Sequence, residues 1–163
     1  MDTPGAAEAA VLLRDFRFDD PMWVGRAFVP FWGCDLDVSI DPDDDGITAR
    51  QLSVLRAVLT RPRNLRAGFG KALYAYYRDD VDGTYCSYDD RGVPIPGSGP
   101  PKLTAAAQVW DLIDEPVVCI PVYFHTRSGV EFQLSFNCEW DKEHGLGVSY
   151  RGWKPVEFGG RDL

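Results

Sequence analysis

Between Glu131 and Cys138 the chain alternates without a break: Phe132, Leu134, Phe136 and Cys138 are apolar, while Glu131, Gln133, Ser135 and Asn137 are polar. An extended strand puts every second side chain on one face, so this stretch reads as a strand with one dry and one wet side. The same period returns over Cys34 to Ile40, where Leu36, Val38 and Ile40 alternate with Asp35, Asp37 and Ser39. A sheet with an apolar face needs a second layer to cover it, and the segments between these strands supply helices.

Trp23 to Phe31 reads as a strand paired antiparallel with Cys34 to Ile40 through a turn near Trp32-Gly33. Pro30, which has no amide proton for the ladder, restricts the first of these to an edge or to its end. Thr48 is placed to cap a helix with an apolar stripe of Leu52, Leu55, Val58 and Leu59. Arg61-Pro62 interrupts the chain, and a second helix runs from Asn64 to Arg78 with Leu65, Phe69, Leu73 and Tyr76 at helical spacing. Gly68 and Gly70 weaken that helix, which points to close packing against them.

Residues 79–102 form a long surface loop, after which Thr104 caps a short helix through Leu112. Val117 to Phe124 and Val130 to Cys138 are strands joined by a hairpin turn over Thr126-Arg127-Ser128-Gly129. Gly147 to Tyr150 and Pro155 to Phe158 add two short strands. Ala6 to Arg14 is a short Ala-rich helix within an N-terminal segment, residues 1–20, expected to be mobile. The fold class is therefore α+β: a mostly antiparallel sheet, made of an N-terminal hairpin and a C-terminal meander, with two to three helices on one face. Residues 1–163 read as one domain, a length that can bury a core without staples.

The formal net charge of −8 and pI near 4.7 speak against nucleic acid, which needs clustered Lys and Arg to displace counterions. They suit a basic protein partner or plain solubility. No stretch approaches the ~20 apolar residues of a membrane span, and Met1 to Arg14 lacks a secretory n-region, so the expected location is cytoplasmic. The four cysteines, Cys34, Cys86, Cys119 and Cys138, contain no Cys-x-x-Cys pair and read as buried thiols. A hairpin turning near Arg127 to Gly129 would bring Cys119 and Cys138 close across the ladder.

Two places invite a chemical reading. Asp41, Asp43, Asp45 and Gly46 match the first half of a calcium loop, but the position that needs a bidentate glutamate is Leu52. A turn leading into the Thr48 cap explains the run better, so these three carboxylates are weak metal candidates. The second place is Trp140 to Val148. If that stretch is extended, Asp141 and Glu143 point to one side with His144 nearby, a set that could serve as an acid and base pair or hold a metal. His125 is expected at the opposite turn and too far to join them. No nucleophile elbow, phosphate loop or dinucleotide fingerprint is present, and no cofactor is implied. The other reading of this run is a connection between strands, shaped by Gly145 and Gly147 and tied by side-chain hydrogen bonds.

The run Trp140-Asp141-Lys142-Glu143-His144-Gly145-Leu146-Gly147-Val148, with Pro30 to Gly33, Ile47-Thr48 and Leu73 to Tyr77 upstream of it, resembles a family of small bacterial domains of unknown function. The likeness runs in order over residues 22 to 160. Such domains are similar in character to acidic immunity-type proteins found beside bacterial toxins, and no catalytic residue comes with the resemblance. The functional expectation is a non-enzymatic acidic protein-binding domain. The alternative is a metal-dependent, hydrolase-like enzyme centred on Asp141, Glu143 and His144.

Overall fold

The computed structural model describes residues 5–62, 64–122 and 130–161. Among them, seven strands form one sheet in chain order: β1 (Phe16–Asp19), β2 (Met22–Val29), β3 (Cys34–Ile40), β4 (Val117–Ile120), β5 (Phe132–Phe136), β6 (Leu146–Arg151) and β7 (Lys154–Gly159). Every neighbouring pair is antiparallel except β3 and β4, which run parallel. The sheet is thus an N-terminal and a C-terminal meander joined at one parallel seam. Antiparallel neighbours accept tight turns, whereas a parallel pair needs a long crossover, and all helices but the first lie in that crossover.

Those helices are α2 (Ala49–Thr60), α3 (Leu65–Tyr76), which runs on into a π-helical turn over Tyr77–Val81, and a 3-10 helix (Ala106–Leu112). A fourth, α1 (Ala6–Leu12), precedes β1. They cover the face built from Leu36, Val38, Ile40, Val118, Phe132, Leu134, Phe136, Leu146, Val148 and Tyr150, all buried with Val54, Leu55, Val58, Phe69 and Leu73 in one cluster. The expected α+β architecture is the one observed.

Residues 1–4 and 123–129 lie outside the described residues, and with them the expected turn at Thr126 to Gly129 and His125. β1 falls inside the N-terminal segment expected to be mobile: Phe16 stands opposite Gly25 and is buried. Four residues were too short for a period-2 pattern to show. Pro30 stands just past the end of β2, and β2 is an inner strand.

Thr48 caps α2 as expected, within a reciprocal box: Gln51 N–H donates to Thr48 Oγ1 at 3.2 Å and Thr48 N–H to Gln51 Oε1 at 2.9 Å. Gln51 is 1% exposed, and its Nε2 donates to the backbone carbonyls of Asp41 and Ile120. The capping glutamine therefore also ties the ends of β3 and β4 together. In α3, Asn64 supplies the cap by accepting from Ala67 N–H. Gly70 explains its own presence, because a Cβ there would lie 2.8 Å from the indole Nε1 of Trp110; Gly68 faces open space.

Two expectations are corrected. Thr104 does not cap the 3-10 helix; the longer Gln108 side chain reaches back to accept from the N–H groups of Thr104 at 2.8 Å and Ala105 at 3.0 Å. Cys119 and Cys138 do not meet either. Register puts Cys119 opposite Gln133, with its thiol 3.5 Å from Ser135 Oγ, whereas Cys138 lies beyond the end of β5 against Ile113. The thiols are free.

Replacing Gln51 by Leu removes half of the capping box and leaves the Asp41 carbonyl without its donor, while the Ile120 carbonyl keeps the Asp41 N–H at 3.0 Å, so the change should cost about 2–3 kcal/mol. Thr48→Ala, which loses the cap alone, should cost about 1 kcal/mol. Urea unfolding of the two variants measures the difference, and equal losses would show that the seam does not depend on Gln51.

Candidate functional site

The Trp140 to Gly145 stretch is the connection between β5 and β6, and it is a turn, not an extended strand. Trp140 is buried and meets Tyr77 edge-on, with ring centroids 5.3 Å apart. Asp141 then organises the turn: its Oδ1 accepts from His144 N–H at 2.9 Å and lies 3.1 Å from His144 Nδ1, while its carbonyl accepts from Gly145 N–H at 2.8 Å. A short carboxylate bonding to backbone three residues on is the local geometry that aspartate favours. The Asp141 side chain is 17% exposed and that of His144 59%.

Curling the segment separates the trio. Asp141 is tucked inward, while Glu143 and His144 are exposed. Asp141 and His144 are brought together as a hydrogen-bonded pair. Among the described residues no group of three or more His, Cys, Asp and Glu side chains is arranged to hold a metal ion. The same holds for the aspartates after β3. Asp43 bridges back to Gly46 and accepts from Asp44 N–H at 2.9 Å, and Asp41 gives its backbone groups to Ile120 and Gln51. All three of these aspartates are exposed.

The turn is closed from outside by Arg161, a residue the sequence pattern did not single out. Its backbone N–H and its Nε donate to His144 O at 3.1 and 3.2 Å, and Nη2 donates to Asn137 Oδ1 at 2.6 Å. Asn137 is held in turn by Asp114, which accepts from its backbone N–H at 2.9 Å and from its side-chain amide. Gly145 makes this possible. It has φ +65°, and a Cβ there would fall 2.0 Å from Arg161 Nε. One of the two glycines of the Gly-Leu-Gly run is thus the seat of the Arg161 side chain. Beneath the turn, Cys138 donates to Asp141 O at 3.5 Å, and burial pushes its thiol up to about 11. That is the opposite of an activated nucleophile.

Beside the turn stands the part of the loop that the sequence left shapeless. Residues 87–95 form a small hairpin: Ile95 N–H donates to Ser87 O at 2.8 Å, Asp89 N–H to Val93 O at 2.9 Å, and Tyr88 bridges Pro94. Asp89 Oδ1 closes its tip by accepting from Arg91 and Val93 N–H at 2.9 and 2.8 Å. The base is pinned by Ser98, whose Oγ donates to Ile95 O at 2.6 Å and accepts from Ser87 N–H at 2.9 Å, and by Tyr77, whose hydroxyl donates to Pro101 O at 2.6 Å.

This arm carries Tyr88, Val93 and Ile95 at 60%, 55% and 43% exposure. A cleft of about 610 Å³ separates its base from the turn, with Tyr85, Pro101, Glu139 and Trp140 among its lining residues. A second cleft of about 380 Å³ continues past Glu139 to Asp111 and Asp114. The signal for the arm was present as Asp89-Asp90-Arg91-Gly92, a turn sequence flanked by apolar residues, inside a stretch otherwise dominated by Pro and Gly.

Fold and site together define an α+β domain on one mixed sheet, with a hairpin arm set beside a carboxylate-organised turn. The chain belongs to the family described as a domain of unknown function (DUF6985), which matches residues 12–163. No curated protein and no solved structure matches it.

Gly145→Ala should cost about 2–4 kcal/mol, because the left-handed backbone and the Arg161 contact both oppose a Cβ. In an Arg161→Ala background the same change should cost only the conformational part, about 1–2 kcal/mol; additive losses in the double-mutant cycle would sink the assignment. Cys138 gives a pH signature. The folded chain keeps a proton that the unfolded chain, with the ordinary value of 9.0, gives up, so stability falls as pH rises from about 9 towards about 11. Cys138→Ala should remove the fall that begins near pH 9, leaving the later fall due to Tyr76, Tyr77, Tyr85 and Tyr150, whose hydroxyls burial also pushes up, as read from urea midpoints across the range.

Proposed function

We propose that this chain is a non-enzymatic, cytoplasmic protein-binding domain that meets a basic protein, as an immunity-type inhibitor of a bacterial toxin would. The observation that carries this reading is the arm: three large apolar side chains held in the open on a hydrogen-bonded hairpin whose base is pinned to the body. Val93 and Ile95 share one face of the hairpin and Tyr88 stands on the other, and large apolar groups left exposed on both faces of a projecting arm suit an interaction site. Their surroundings set the sign of the partner. Asp89 and Asp90 are on the arm and Asp111, Asp114 and Glu139 line the adjoining clefts, on a chain of net charge −8. Such a surface draws in a basic partner and disfavours an acidic one.

A Tyr88→Ser/Val93→Ser/Ile95→Ser variant should unfold at the wild-type midpoint, since none of the three is buried, yet bind its partner about 10–100-fold more weakly if the arm is the hot spot. The partner recovered from the native host should be basic and should be released by salt. Recovery that is indifferent both to the arm and to salt would overturn the proposal.

One observation favours a second reading. Asp141 Oδ1 lies 3.1 Å from Nδ1 of the exposed His144 ring, the relation by which a carboxylate orients a histidine general base. A hydrolase built on this pair would lose at least ~100-fold in rate on His144→Gln, whereas a binding domain would keep its affinity in that variant.

A further inference from the structure

The two edges of the sheet differ in character. On β7, Pro155 stands in the ladder opposite Tyr150, and the register with β6 shifts between Ser149 and Tyr150. A proline that cannot donate and an irregular ladder both discourage an added strand. The outer side of β1 carries neither device. Phe16 N–H donates to Leu13 O at 3.0 Å, outside the ladder with β2, so that amide points away from β2. Backbone groups alternate sides along a strand, and those of Phe18, two residues on, therefore also point outward.

The side chains around Phe18 are arranged to suit one particular occupant. Phe18 is 55% exposed, resting against Trp23 with ring centroids 5.9 Å apart. It is flanked by Arg17 and Asp19, 3.6 Å from one another and 79% and 66% exposed. Charged residues on an edge strand ordinarily keep other strands away. Here the two charges are opposite and straddle Phe18, so an antiparallel copy of β1 centred on Phe18 sets Arg17 against the partner's Asp19 and Asp19 against the partner's Arg17. Phe18 then faces the partner's Phe18 on the same side of the joined sheet. A register centred one residue earlier sets Arg17 against itself, and one centred one residue later sets Asp19 against itself. Both are opposed by like charge.

We propose that β1 is the docking edge for a second copy of this chain, joining two sheets about a twofold axis at Phe18. An isologous contact of this kind requires a self-complementary patch, which Arg17-Phe18-Asp19 is. Because Leu13 already occupies Phe16 N–H, the paired length is short and the association belongs to the weak, reversible class. It forms when the protein is concentrated. The net charge of −8 on each copy opposes it at long range. At about 0.15 M salt the Debye length is about 8 Å, which mutes that repulsion and leaves ion pairs at contact distance in place.

Sedimentation equilibrium over a dilution series in that salt tests the proposal. Wild type should rise from the mass of one chain to that of two. Arg17→Asp, which places like charges across the edge, should remain a monomer throughout. Arg17→Asp/Asp19→Arg, which swaps the charges and restores the complementarity, should recover the dimer. Phe18→Ser should weaken it at least tenfold in a chain that stays folded, with an unfolding midpoint lowered only by the lost Trp23 contact. A wild-type monomer at every concentration overturns the proposal, as does a dimer that Arg17→Asp leaves intact or a folded charge-swap variant that stays monomeric. The arm variant described above should dimerise like wild type, so this edge and the arm are tested separately.

Discussion

Parallel pairing of β3 with β4 obliges the chain to leave the sheet, build its helical layer and return beside the strand it left. Where those two strands end, the Ile120 carbonyl accepts from Asp41 N–H, but the Asp41 carbonyl needs a donor of its own, and an unmet hydrogen bond in a part-buried place costs about 1–3 kcal/mol. Gln51 meets that demand: one side chain accepts at the start of α2 and donates to Asp41 O and Ile120 O. The first turn of α2 is thereby fixed over the seam, and with it the helical layer that covers the apolar face. Helix capping, strand pairing and layer packing converge on a single amide group. That convergence is how a sheet made of two meanders becomes one folded unit.

The functional surface is organised by a comparable economy at the other end of the crossover. Tyr77, in the π-helical turn that ends α3, places its ring against Trp140 and its hydroxyl on Pro101 O. The turn between β5 and β6 and the base of the arm are therefore held by the same residue. Asp141 and Arg161 fix the turn from within and from outside. The polar residues that invite a catalytic reading are thus largely engaged in shaping backbone, while three exposed apolar side chains stand on the neighbouring arm.

How much of this was legible depends on the range of the interaction. Alternation over Leu36 to Ile40 and Phe132 to Cys138 marked β3 and β5, and the Thr48 cap was readable because capping is settled within four residues. β1 escaped because four residues carry too little pattern. Register was the other blind spot. The proximity expected for Cys119 and Cys138 failed because Cys119 pairs with Gln133, and nothing local sets that offset. In the site, Asp141 and His144 were named, and the reading of their run as a connection tied by side-chain hydrogen bonds is the one observed, while the extended geometry that the acid and base pairing required is not. The seat that Gly145 provides for Arg161 could not be seen, since the two residues meet only when the chain end returns across the turn.

By itself the sequence determined the class of the fold, the two half-polar strands, the cap of α2, and the acidic character of the chain. These follow from periodicity, local hydrogen bonding and charge, which act between residues close along the chain or need no geometry at all. Tertiary structure alone decided the parallel seam, the second use of Gln51, the separation of Glu143 from Asp141, the exposure of Tyr88, Val93 and Ile95, and the open edge at Phe18. Each of these depends on which distant segments come to lie side by side, and therefore on how the apolar faces pack.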